Sequence, residues 1–162
     1  MKTLARLFCC LTVMLLATGG NAEVVRASPE FRWVDATGAT KSSKEFRGRP
    51  LVVVIAQSPR QWAFRSQVGQ LQLMYERLAA NKIVCVAAFS VQAGVVRSNI
   101  PFVTVPDGAQ VAAAFDAGSG FAIAVIGKDG NLDYISDRVT PVQKIADVMD
   151  NSFVVQKALR RD

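Results

Sequence analysis

Apolar and polar positions are organised around Arg49 to Trp62, where six apolar residues, Leu51-Val52-Val53-Val54-Ile55-Ala56, stop at a turn and an amphipathic segment follows. An apolar run without alternation fits a strand covered on both faces, as in a sheet with helices on either side. In that architecture ligands and chemistry gather at the carboxyl end of the strand. Beyond the turn, Phe64, Val68, Leu71, Met74 or Tyr75, and Leu78 recur at helical spacing, while Arg65, Gln67, Gln70, Gln72, Glu76 and Arg77 fill the other side. One helix is therefore predicted from Pro59 to Ala80, with Asn81 as its stop.

Lys82 precedes a second apolar strand, Ile83 to Phe89, and strand-helix-strand implies a parallel pair with a right-handed crossover. Ser90 to Asn99 reads as a loop, followed by the apolar stretch Ile100 to Pro106. Asp107 caps a short Ala-rich helix, Gly108 to Ala117, with Gln110 completing the cap and Gly118 near its end. Gly120 to Gly127 is a third strand, joined through Lys128-Asp129-Gly130-Asn131 to Leu132 to Ser136, and Asp-Gly between two such runs signals a hairpin. Thr140-Pro141-Val142-Gln143 opens a last helix as a capping box, with Val142, Ile145, Ala146, Met149 and Phe153 as its buried stripe. Upstream, Ser28 to Thr40 alternates and breaks at Thr37-Gly38, an edge hairpin.

A leading hairpin, then β-α-β, a connecting helix, a β-hairpin and a helix is the thioredoxin-like order. Ser28-Pro29-Glu30-Phe31, the Thr37-Gly38 turn, Phe46-Arg47-Gly48-Arg49-Pro50-Leu51 and Val125-Ile126-Gly127-Lys128-Asp129-Gly130-Asn131-Leu132 resemble the landmarks of peroxiredoxin and thiol-disulfide oxidoreductase domains, over roughly residues 28 to 150. The closing part, Ile126 to Gly130 and a helix running toward Arg160-Arg161, is also similar to a bacterial family classed only as a domain of unknown function with this fold. The resemblance implies an α/β fold, thioredoxin-like, with a central mixed sheet, helices on both faces and an N-terminal β-hairpin. It also implies a site at which this chain departs from its relatives. Active members carry a cysteine just after the first core strand, at a helix N-terminus that lowers its pKa. Here Gln57, Ser58, Pro59, Arg60, Gln61 and Trp62 occupy that stretch, and Ser119-Gly120 stand where redox members have a proline before the third core strand.

The start of the chain changes the picture of compartment. Lys2 and Arg6, the apolar run Leu7 to Ala17 and small residues before Ala22 read as a cleavable secretory signal over residues 1–22. Arg6-Leu7-Phe8 puts bulky residues where a lipid-attachment signal ahead of Cys9 or Cys10 needs small ones. A single domain, residues 23–162, is expected to remain, periplasmic or secreted, starting at Glu23 and without a transmembrane segment. Of 19 Lys and Arg against 13 Asp and Glu, two cations leave with the signal, so the mature balance is 17 − 13 = +4. The clusters Lys41/Lys44/Arg47/Arg49 and Lys157/Arg160/Arg161 read as solvated surface, with anionic contact as the sharper alternative and no nucleic acid expected. Cys85 is the one thiol left after cleavage and there is no histidine, which excludes an internal disulfide, a CxxC pair, Ser-His or Cys-His nucleophiles and His-ligated metal. No cofactor is expected.

Candidate ligand-binding residues are Ser58, Arg60, Gln61 and Trp62. Ser58 reads first as the N-cap of the following helix, with Pro59 at its first position, and only second as a nucleophile. Arg60 is either exposed surface or a contact for phosphate, sulfate or a carboxylate beside free helix N–H groups. Trp62 either packs over the sheet edge or lines a groove. Cys85 should be a buried, unactivated thiol, and Lys128 to Asn131 a turn without phosphate-loop spacing. The favoured function is an exported binding or accessory module without thiol catalysis, for a protein or small anionic partner. An enzyme using Gln57 to Trp62, and a redox protein acting through Cys85, are the alternatives.

Overall fold

The computed structural model describes residues 26–35, 37–117 and 120–152. The expectations placed on the leader, Cys9, Cys10, Glu23, Gly118, Ser119, Phe153 and the closing cations lie outside the described residues.

Strands β1 (Arg32–Val34) and β2 (Thr40–Ser42) pair antiparallel as the expected hairpin. Its turn is shaped by the Asp35 carboxylate, which accepts hydrogen bonds from the N–H groups of Thr37 and Ala39 and from the Thr37 hydroxyl. A 3-10 turn, Ser43–Phe46, leads to β3 (Leu51–Ala56). Then come α1 (Trp62–Gln72), α2 (Tyr75–Ala80), β4 (Val84–Phe89), β5 (Phe102–Val105), α3 (Gly108–Ala114), β6 (Ala122–Ile126), β7 (Leu132–Ser136) and α4 (Val142–Asp150).

The main sheet has the order β5-β4-β3-β6-β7, with β3, β4 and β5 parallel and β6 and β7 antiparallel to their neighbours. Every residue of β3 is buried, and its side chains alternate between two cores. Val52, Val54 and Ala56 meet Phe64, Val68 and Leu71 of α1 and Ile145 of α4. Leu51, Val53 and Ile55 face the other way, against Val111 and Ala112 of α3, Phe115 and Phe31. Helices thus cover both faces, as the unbroken apolar run requires. No helix among the described residues is long and apolar enough to cross a membrane.

Four differences from the sequence expectations have local causes. The stretch at Ile100 to Pro106 contains an edge strand, β5; its flanking prolines, Pro101 and Pro106, suit an edge position. The predicted single helix is two: the N–H groups of Leu73 and Met74 bond the carbonyls of Gln70 and Leu71 in a tightened turn, which buries Met74 and exposes Leu73. Gln67, placed by its polarity on the outer side, is wholly buried. Thr140 caps nothing: α4 begins at Val142 with Pro141 at its N-cap and no side-chain cap bond.

The last two are one arrangement. Gln67 Nε2 donates to the Thr140 carbonyl at 3.1 Å, and Gln67 Oε1 accepts from the Thr140 N–H at 2.7 Å. Gln70, one turn further along α1, accepts from the Val142 N–H at 3.0 Å. The first turn of α4 is therefore held by two glutamines of α1, 72 and 73 residues away in the chain. By contrast, Asp107 caps α3 as expected, accepting from the Gln110 N–H. Gly108, the first residue of α3, sits where an added Cβ would lie 2.2 Å from Phe89 N and O, so only glycine lets this helix close on the end of β4.

Candidate functional site

The carboxyl ends of β3 and β4 are tied together and open into a cleft. The Ser90 N–H bonds the Ala56 carbonyl, and the N–H groups of Val91 and Gln92 bond the Gln57 carbonyl, so the segment leaving β4 is stitched to the turn leaving β3. That turn is a four-residue one, closed by the Gln61 N–H on the Ser58 carbonyl with Pro59 at its second position. The Gln61 side chain folds back and accepts from the Gln57 N–H at 2.7 Å.

This corrects the role expected of Ser58. Pro59 serves the turn instead of the first helical position, α1 starts at Trp62, and Gln61 at its N-cap makes no side-chain cap bond. The sheet-edge packing considered for Trp62 is also overturned, because the indole is 70% exposed. Of the four candidate residues, the structure brings only Arg60 to the cleft; Ser58, Gln61 and Trp62 are absent from its lining.

The cleft has a volume of about 560 Å3 and lies between one face of α1 and the segment after β4. From α1 come Phe64, Arg65, Val68 and Gln72, which share a face at three- and four-residue spacing. Over those nine residues the groove runs for about 12 Å along the helix. Opposite stand Gln92, Ala93, Gly94, Val95 and Arg97. Gly94 packs on the Pro59 ring so tightly that an added Cβ would lie 2.7 Å from its Cγ. Arg65, Gln72, Gln92 and Arg97 escaped the sequence reading, although Arg65 and Gln72 carry a visible signal in their helical phase with Val68. Arg97 carries none, since a loop has no periodicity that says which way it faces.

Cys85 is remote from this end of the sheet. Its register partner on β3 is Val52, four residues before Ala56, which places it about 13 Å below the turn. It is a free thiol, 1% exposed in the core beneath α1, and burial pushes its pKa up to about 12. A thiol so desolvated is neutral at physiological pH and closed to approach. The chemistry that the turn and cleft offer is binding by guanidinium, amide and apolar groups.

The fold is thioredoxin-like. Solved structures that share it include AhpC of Enterococcus faecalis, with a TM-score of 0.61 and 14% identity over 82% of this chain and 93% of that one. A thiol:disulfide interchange protein from Bacteroides sp. gives 0.57 and 14%, over 76% and 86%. The exposed lipoprotein thioredoxin Etrx1 of Streptococcus pneumoniae gives 0.55 and 14%, over 73% and 96%. The sequence matches no protein-family profile and no curated protein.

Proposed function

We propose that this protein is an exported thioredoxin-like domain, residues 23–162 after loss of a signal over residues 1–22, that works without thiol redox catalysis. It acts as a binding or accessory module of the cell envelope, for a protein or small anionic partner held at the carboxyl end of the sheet. The observation that carries this reading is the position of Cys85, buried in mid-strand, while the turn at residues 57–62 holds no thiol. Attack on a peroxide or disulfide needs an accessible thiolate, and neither position supplies one. A narrower kinship, with the bacterial family classed as a domain of unknown function, rests on the short run Ile126 to Gly130 alone. Arg60 at the cleft favours anion binding over an enzymatic use of the turn.

The test is turnover. The mature chain, with dithiothreitol as reductant, is expected to leave insulin disulfides and hydrogen peroxide at background rates while an active thioredoxin-fold enzyme consumes both. Turnover abolished by Cys85→Ser would transfer the assignment to redox catalysis.

A further inference from the structure

We propose that the cleft beside α1 is a binding site for a small amphiphilic organic anion, with Arg60, Arg65 and Arg97 taking its charged group and Ala93 and Val95, over the closed floor of Phe64 and Val68, its apolar body. This rests on the reading of the protein as a binding module and names the class of ligand.

Three observations converge. The first is electrostatic. Three guanidinium groups line one cleft and no carboxylate does, and none of the three forms an ion pair among the described residues. Elsewhere Arg26, Arg32, Lys41, Lys44, Arg77 and Arg138 each pair with an acidic side chain, while Arg47, Arg49, Lys82, Lys128 and Lys144 form no such pair among the described residues; what sets the three arginines apart is that they share one cleft. Like charges gathered without a counter-charge raise the local potential and attract an anion, and the planar fork of arginine suits carboxylate, sulfonate or phosphate oxygens. Arg60 belongs to the turn, Arg65 to the first turns of α1 and Arg97 to the segment after β4, so three separate parts of the chain deliver the cations.

The second observation is the apolar lining. Phe64 and Val68, 2% and 6% exposed, close the bottom of the cleft, and the apolar surface open to a ligand is that of Ala93 and of Val95, the latter 83% exposed. A compact inorganic anion leaves that surface wet, whereas an apolar body removes it from water. Gln72 and Gln92 add neutral polar groups to the walls. The third is size. About 560 Å3 falls within the roughly 300–1,000 Å3 typical of small-molecule pockets, and the closed contact of Gly94 on Pro59 shapes a concavity, not a flat docking face.

The probe is 8-anilinonaphthalene-1-sulfonate, an aromatic body with one anionic group, titrated by fluorescence into the mature chain at neutral pH. Expected are saturable one-site binding that weakens between low and high salt, displacement by decanoate, and no displacement by decanol or inorganic phosphate at equal concentration. The triple variant R60Q/R65Q/R97Q removes charges that no other described side chain pairs with. It should keep its thermal unfolding midpoint while losing affinity by about tenfold or more. A second variant, Val95→Ser, makes the rim polar without adding charge and should weaken decanoate while leaving the salt dependence of binding unchanged; unchanged decanoate affinity would contradict the apolar contact.

Unchanged affinity in the triple variant, absence of any probe binding, or displacement by decanol as readily as by decanoate would each overturn the proposal. Displacement by phosphate at the same concentration would make this a compact-anion site, and displacement by an acidic peptide but not by decanoate a peptide site; both contradict it. Failure here leaves the silence toward insulin and peroxide untouched, while turnover through Cys85 would remove that reading without touching the cleft.

Discussion

Replacing Gln67 by leucine isolates the contact that joins α1 to the start of α4. Leucine is one heavy atom shorter than glutamine but branched and of similar bulk, so the change removes hydrogen bonding while keeping the site filled by a side chain of comparable volume. Gln67 is 0% exposed and Thr140 is buried with it, so water cannot replace what is lost. Two backbone groups, the Thr140 N–H and C=O, lose their partners at 2.7 and 3.1 Å. Each buried group left unsatisfied costs about 1–3 kcal/mol, and the gain from a buried apolar side chain offsets part of the sum, so a net loss of about 3 kcal/mol is expected. The assay is urea denaturation, with the midpoint shifted and the slope unchanged. Thr140→Val, which keeps the γ-methyl and removes the hydroxyl bond to the Arg138 carbonyl, should cost about 1 kcal/mol or less. A loss under 1 kcal/mol for Gln67→Leu, or a larger loss for Thr140→Val, would refute the clamp.

Other expectations follow from single contacts. Ser58→Ala should change stability by no more than about 0.5 kcal/mol, because its hydroxyl caps no helix, whereas Gln70→Ala should cost about 1 kcal/mol by freeing the Val142 N–H; both are read by the same denaturation. Gly108→Ala should cost about 3 kcal/mol, since its Cβ meets β4 backbone that cannot rotate away, and an unchanged midpoint would contradict the close approach. Glu30 is held down to about 2 by the Lys44 ammonium 2.6 Å away and by hydrogen bonds from Ser42 and Arg32. A depressed carboxylate stabilises above its ordinary value of 4.5 and loses that contribution as pH falls from there toward 2. Trp33 stacks on Phe46 beside this network, so in a Trp62→Phe background its fluorescence should change in that window, and Glu30→Gln should abolish the change.

Much of the fold was legible because its signals are local. Six consecutive apolar residues announced β3, Asp129-Gly130 announced the β6–β7 hairpin, and Asp107 with Gln110 announced α3. Each depends on residues within one or two turns of itself. What escaped depends on partners far along the chain. The polarity of Gln67 says surface, and nothing near it says that a loop 73 residues later brings two bare backbone groups for it to bond. Ser58-Pro59 carries a valid capping pattern, but proline serves the second position of a turn equally well, and the Gln61 side chain on Gln57 decides for the turn. The cleft was legible in one residue, Arg60. Its remaining cations stand on a helix face and in an aperiodic segment that only the tertiary fold brings opposite each other.

The central claim, a thioredoxin-like domain that does not use a thiol, is tested most directly by the accessibility of Cys85, the one cysteine among the described residues, in a chain expressed from residue 23. Its pKa is pushed up to about 12 by burial, and α1 covers it, so a thiol reagent added to the native protein should label it only as fast as the fold opens. Labelling at neutral pH should therefore be orders of magnitude slower than in urea and should accelerate in Gln67→Leu in step with the lost stability. Stoichiometric labelling of the native protein at the rate of a free thiol would contradict the account.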